Sequence, residues 1–285
     1  MAVETATRER LEARLDDLVR ENRFLIAVVF PAMGAVLLVA SAERLLPGPL
    51  NFNPYLILFG TLVMRLPLVA GVAPLTDRRA LAAMGLLTVY SYGIEYVGTT
   101  TGWPYGNFVY GIDLGPMLLG KVPLGLPVFF FPLVLNSYLL CLLLLGDRAK
   151  RWFVRLPVVI AAVLAVDLVL DPGAVALGFW HYDPAGPYYG VPWSNYAGWV
   201  LSATVAVGLF DVAFDRQGLL DRVNSCEFML DDLVSFVILW GAINAYFSNW
   251  IPVAIAGLFF LGLIEIDRFD FRVLRTVPLL EKLRS

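Results

Sequence analysis

Histidine and cysteine are nearly missing from this sequence: one His and two Cys among 285 residues. A single His excludes a multi-histidine metal centre. Cys141 lies in an apolar run and Cys226 in a charged loop, so no disulfide framework is suggested. Charge is scarce too. Asp, Glu, Lys and Arg make up 16% of the chain, and the net charge of −3 implies no nucleic-acid partner. No nucleotide-binding fingerprint and no recognised metal-ligand spacing is present. No cleavable signal peptide is evident, because the charged stretch 1–23 precedes the first apolar run. What remains is hydrophobic: 59% of residues, with a mean hydropathy of +0.73. Those values point to a polytopic membrane protein.

Apolar runs lie at about 24–42, 54–73, 80–97, 122–145, 156–171, 195–213, 233–247 and 251–265. Most approach the roughly 20 residues needed to cross a bilayer. The last two are short and read either as two spans or as one helix broken at Pro252. The basic residues favour two. With eight spans and an inside N-terminus, 18 of the 21 Lys and Arg fall on the cytoplasmic side; only Arg44 and Lys121 lie outside, and Arg65 lies within a span. The expectation is therefore an all-α integral protein of the cell membrane, with about eight transmembrane helices and both termini cytoplasmic. It divides into a cytoplasmic amphipathic helix (1–23), a single polytopic membrane domain (24–270) and a cytoplasmic tail (271–285). The first helix places Leu11, Leu15 and Leu18 on one face.

This orientation gathers acids at one depth. Glu95 falls near the outer end of the third span. Asp167 and Asp171 fall at the outer end of the fifth, four residues apart and so on one helical face. Intramembrane acids are costly and usually face a cavity or a partner. Two carboxyls this close can share a proton at neutral pH and act as a proton donor. Plainer readings stand beside these. Asp171 precedes Pro172 and can simply end its helix; Asp167 can make a structural hydrogen bond; Glu95 can pair with Arg44 or Lys121. Arg65, about eleven residues into the second span, serves either as a counter-ion or as a snorkelling cation. Asn136 and Asn244 read as helix–helix hydrogen bonders. The two long outer loops, "GWPYGNFVYG" and "GFWHYDPAGPYYGVPWSN", are rich in Gly, Pro and aromatics. Their rings form either an interfacial belt or cavity walls that tolerate a cation.

The runs "EYVGTTTGWPYGNFVY", "LGPMLLGKVPLGLP", "DLVLDP", "ALGFWHY" and "YYGVPWSNYAGW" resemble the membrane carotenoid-biosynthesis hydratases, in the same order and with similar spacing over about residues 85 to 215. The resemblance implies addition of water to the terminal isoprenoid double bond of a long acyclic carotenoid, a C50 bacterioruberin precursor in one branch, without a cofactor. Such a reaction needs a protonated acid, a positioned water with its base, and a dry pocket. Asp167 or Glu95 is then the general acid, and Asp171 its partner or the base. Trp103, Tyr105 and Trp180 become candidate pocket walls, and Asn195 a candidate for orienting water. The expected partners are the lipophilic carotenoid, membrane lipid and other membrane enzymes of the carotenoid pathway. The competing readings are a proton-coupled transporter, another isoprenoid enzyme (a prenyltransferase or cyclase), and a non-catalytic carotenoid-binding protein.

Overall fold

The computed structural model describes residues 2–265. The tail expected over 271–285 lies outside the described residues. The chain opens with α1 (Ala2–Glu21) and a π-helical turn (Leu25–Val29) that runs into α2 (Phe30–Ala42). Then follow α3 (Pro54–Val72) and α4 (Arg78–Thr101). The first long loop carries β1 (Phe108–Tyr110), β2 (Met117–Leu118) and β3 (Val122–Pro123). Beyond it come α5 (Leu126–Leu145), α6 (Trp152–Leu177), β4 (Trp180–Tyr182) and α7 (Trp193–Ala213). A short polar helix, α8 (Arg216–Ser225), leads to α9 (Asp231–Tyr246) and α10 (Trp250–Glu265).

Six helical segments are long and apolar enough to cross a membrane, which makes this a multi-pass, essentially all-α membrane protein. Helices α9 and α10 are shorter, at 16 residues each. They pack along each other as a hairpin turned at Ser248, whose φ is +61°. Pro252 therefore does not break a long helix. It sits in the first turn of α10, where its missing N–H costs nothing. Helix α9 is the hub of the bundle, packed against α2, α3, α6 and α10, and its residues are mostly buried.

Local signals set several boundaries. Asn53 caps α3 by accepting from the Tyr55 and Leu56 amides at 3.0 and 3.1 Å, and Asp77 caps α4 through Ala80 N at 2.8 Å. Helices α4 and α6 end at Gly102 and Gly178, both left-handed (φ +76° and +80°), as C-terminal caps prefer. Helix α6 runs six residues past the expected end at Asp171, straight through Pro172. That proline removes the donor for the Leu168 carbonyl, and the Tyr188 hydroxyl supplies one at 3.2 Å. Asn244 donates to the adjacent Val169 carbonyl at 2.8 Å. Pro132 in α5 is served likewise: the freed Val128 carbonyl accepts from Arg65 Nε at 3.3 Å.

The two ends of the bundle differ. At one end α1 lies against α3, and this N-terminal stretch is tied to α8 by Arg222 to Asp16 (2.9 Å) and to the segment after it by Arg20 to Glu227 (2.7 Å) and Arg23 to Asp231 (2.5 Å). Its buried face carries Leu15 and Val19, whereas Leu11 and Leu18 are exposed, so the expected leucine stripe is only partly the packing face. At the other end the two long loops meet. Strands β1 and β4 pair antiparallel, with Phe108 opposite Tyr182, Val109 opposite His181 and Tyr110 opposite Trp180. Because strand side chains alternate, Val109 and His181 face outward and the four aromatics face in. This small sheet is a lid of fixed register over the bundle.

Candidate active site

Beneath that sheet lies a cavity of about 160 Å³. A single water needs only roughly 10–15 Å³ by the same measure, so the space suits a larger guest. Its floor and sides come from α3, α5 and α7, with Phe130, Leu133 and Trp199 among the walls; Phe130 and Trp199 stack at 5.4 Å. Its roof is the aromatic face of the sheet. Tyr105 also faces it, and the Tyr105 hydroxyl is tied away to Ser202 at 2.7 Å, leaving the ring as the exposed surface.

Two carboxyls reach this apolar space. Glu95, half-buried on α4, accepts from the Tyr110 hydroxyl rather than pairing with Arg44 or Lys121. Asp171 on α6 takes the Tyr182 hydroxyl at 3.0 Å and Asn195 Nδ2 at 2.6 Å, both on Oδ2. Asp167 stands one turn behind and is fully buried. It does not line the cavity and is joined to Asp171 by the same Asn195 amide, 2.9 Å from Asp167 Oδ2. Burial first, and the neighbouring acids second, push the phenols of Tyr110 and Tyr182 well above their ordinary value. Both therefore stay protonated and donate to the carboxyls.

Of the expected site residues, Glu95, Asp171, Tyr105, Trp180 and Asn195 meet at the cavity, and Asp167 abuts it through Asn195. Trp103 does not: it is 59% exposed on the first long loop. Tyr110 and Tyr182 are among the loop aromatics offered as cavity walls, but their hydroxyls as donors to the acids are not foreseen in the sequence, and neither are Phe130 and Trp199. The alternation in "FVY" and "WHY" was the available signal for the two tyrosines, since only a strand turns Tyr110 and Tyr182 to the same side. Phe130 and Trp199 sit in helices whose uniform hydrophobicity hides which face is lined.

The other buried or partly buried acids of the bundle are built differently. Asp232 pairs with Arg65 and also takes Asn136 Nδ2 at 2.6 Å. Asp231 holds Arg23, and Asp211 holds Arg155. Each of these has an arginine. Arg65 is thus a counter-ion, but its acid is Asp232. Glu95, Asp167 and Asp171 form no ion pair among the described residues and are met only by neutral hydroxyls and an amide. An unpaired carboxylate in an apolar wall is costly, and the neutral acid is not. Also among the described residues, no group of three or more His, Cys, Asp and Glu side chains is arranged to hold a metal ion.

Residues 52–263 match a family described as "Carotenoid biosynthesis protein". The chain is also 65% identical, over 270 residues, to the bisanhydrobacterioruberin hydratase of Haloarcula japonica; the match covers 95% of this chain and 92% of the relative. No solved structure matches it.

Proposed function

This chain belongs to the carotenoid biosynthesis protein family, and we propose that it is a hydro-lyase that adds water to a terminal isoprenoid double bond of a long acyclic carotenoid. The named relative acts on bisanhydrobacterioruberin, and a C50 carotenoid of that kind is the substrate we assign here. One observation carries the reading. Two carboxyls without a cation, Glu95 and Asp171, face an aromatic-walled apolar cavity, in a chain 65% identical to a named hydratase.

The chemistry follows from the placement. A carboxylic acid on the cavity wall gives its proton to the less substituted alkene carbon, leaving a tertiary cation on the other. A water oxygen bonds to that cation and releases a proton to the second carboxylate. The product is a tertiary alcohol, and one proton returns between the two acids before the next turnover. Glu95 and Asp171 fill these two roles, since both reach the cavity. The faces of Tyr105, Phe130 and Trp199 stabilise the cation by their ring quadrupoles. Tyr110, Tyr182 and Asn195 hold the carboxyls in place.

We also place the α1 end of the bundle, with most basic residues, on the cytoplasmic side, and count the α9–α10 hairpin as the seventh and eighth crossings. The lid sheet then faces outward. Membrane lipid and the enzymes before and after it in carotenoid synthesis are the natural partners. The test is expression in a host that accumulates the acyclic carotenoid, followed by pigment mass analysis. A gain of one or two waters supports the assignment. An unchanged pigment profile, with the folded protein detected in the membrane, overturns it.

A further inference from the structure

A polyene end and a water must react in the same small cavity, and the polyene expels water as it fills the apolar space. The reacting water therefore has to be held by polar groups that the polyene does not touch. The structure has such a place. Asp167 Oδ1 and the Tyr196 hydroxyl are both buried and have no hydrogen-bond partner among the described residues. Asp167 is 0% and Tyr196 8% exposed, and neither lines the cavity. Tyr196 follows Asn195 on α7, and its ring cluster packs against Leu164 and Leu168, which flank Asp167 on α6. Helices α6 and α7 pack along each other here, and the Asn195 amide, next to Tyr196 in sequence, already reaches Asp167 Oδ2 at 2.9 Å. A buried acceptor and a buried hydroxyl on two packed helices, neither bonded to the other, are the setting in which proteins bind an internal water.

We propose that a water molecule is bound between Asp167 Oδ1 and the Tyr196 hydroxyl, behind the Asp171–Asn195 contact, and is the reserve for the water consumed at the cavity. The water donates to Asp167 Oδ1 and exchanges a second hydrogen bond with Tyr196. Asp167 and Tyr196 are then positioning residues that never touch the carotenoid. The role as a reserve rests on the hydratase reading; the water site itself does not.

The test uses the full-length protein and two variants, Tyr196→Phe and Asp167→Asn. In Tyr196→Phe, kcat falls by about tenfold or more while the carotenoid KM is unchanged, because a positioned water is lost and substrate contacts are not. Undiminished kcat, or a KM that rises in step with the loss, overturns the proposal. Infrared difference spectra on carotenoid binding give the second readout. A water O–H band that shifts in oxygen-18 water is expected in the wild type, absent from Tyr196→Phe, and moved in Asp167→Asn, where an NH2 replaces the accepting Oδ1. Its absence from the wild type, or its unchanged persistence in either variant, also overturns the proposal. Failure of the wild type to hydrate any carotenoid, with the band intact, instead refutes the enzymatic assignment and leaves the water site standing.

Discussion

The same substitution at two buried aspartates should have opposite consequences. Consider Asp171→Asn and Asp232→Asn. At Asp171 both hydrogen bonds converge on Oδ2, from Tyr182 and Asn195. The amide oxygen of an introduced Asn can take that position, with its NH2 in place of Oδ1. No cation is left behind, so the cost to stability stays within about 1 kcal/mol, the worth of an ordinary hydrogen bond. At Asp232 one oxygen holds Arg65 and the other holds the Asn136 amide. An introduced NH2 must then face one donor or the other, and the Arg65 charge is stranded inside the bundle. Stranding one member of a buried ion pair costs roughly 3–5 kcal/mol. At about 2–4 °C per kcal/mol, this lowers the melting temperature by on the order of 10 °C. Thermal unfolding in detergent and pigment hydration in membranes measure the two axes separately. Asp171→Asn should melt near the wild type and hydrate nothing; Asp232→Asn should melt early and lose activity only in proportion to folded protein. Equal destabilisation by the two would show that Asp171 carries an ion-pair-like charge, and retained hydration by Asp171→Asn would remove it from the chemistry.

Tyr110→Phe deletes the donor to Glu95; a hydrogen bond between neutral groups is worth about 0.5–1.5 kcal/mol, so hydration should slow by roughly 2- to 10-fold with the fold intact. Because the Tyr110 and Tyr182 phenols lie above their ordinary value, they stay protonated as pH rises, and ionisation of these phenols should cost wild-type kcat nothing below about pH 10. A fall in rate at lower alkaline pH that disappears in Tyr110→Phe would contradict this. Tyr188→Phe leaves the Leu168 carbonyl at the Pro172 break without its donor, and a loss of about 1–2 kcal/mol in stability, read by thermal unfolding, is expected. In Gly198→Ala the new Cβ would meet the Tyr105 ring and lie 3.2 Å from Pro104 Cγ, so the ring moves and the carotenoid KM rises; an unchanged KM would show that Tyr105 is not a wall the substrate feels.

The bundle was legible because bilayer-length apolar runs and capping residues are local. Among the described residues, the eight apolar helices fall where the hydropathy placed them, within a few residues at most ends. The largest shift, six residues at α6, arose from treating Pro172 as a stop. The distant Tyr188 hydroxyl repairs that break, and no local rule anticipates it. The acids at the cavity were legible for a related reason: Glu95, Asp167 and Asp171 are conspicuous in apolar surroundings. Their partners were not. Tyr110 meets Glu95 only because β1 pairs with β4 across some 70 positions of sequence, and Arg65 found Asp232 across 167. Trp103 was singled out by composition, yet its loop turns it outward.

The pairing of β1 with β4 also has a consequence for biogenesis. The two strands belong to loops separated by α5 and α6, so the sheet cannot close until both helices have been made and inserted. Asn195 comes later still, on α7. During synthesis, Glu95 enters the membrane long before Tyr110 can reach it through a registered strand, and Asp167 and Asp171 precede the amide that joins them. The acids must therefore wait, without their final donors, until the chain has been translated past residue 195. Assembly of the donor shell is a late, long-range event, and a nascent chain arrested before α7 holds the acids of the site without its completed constellation.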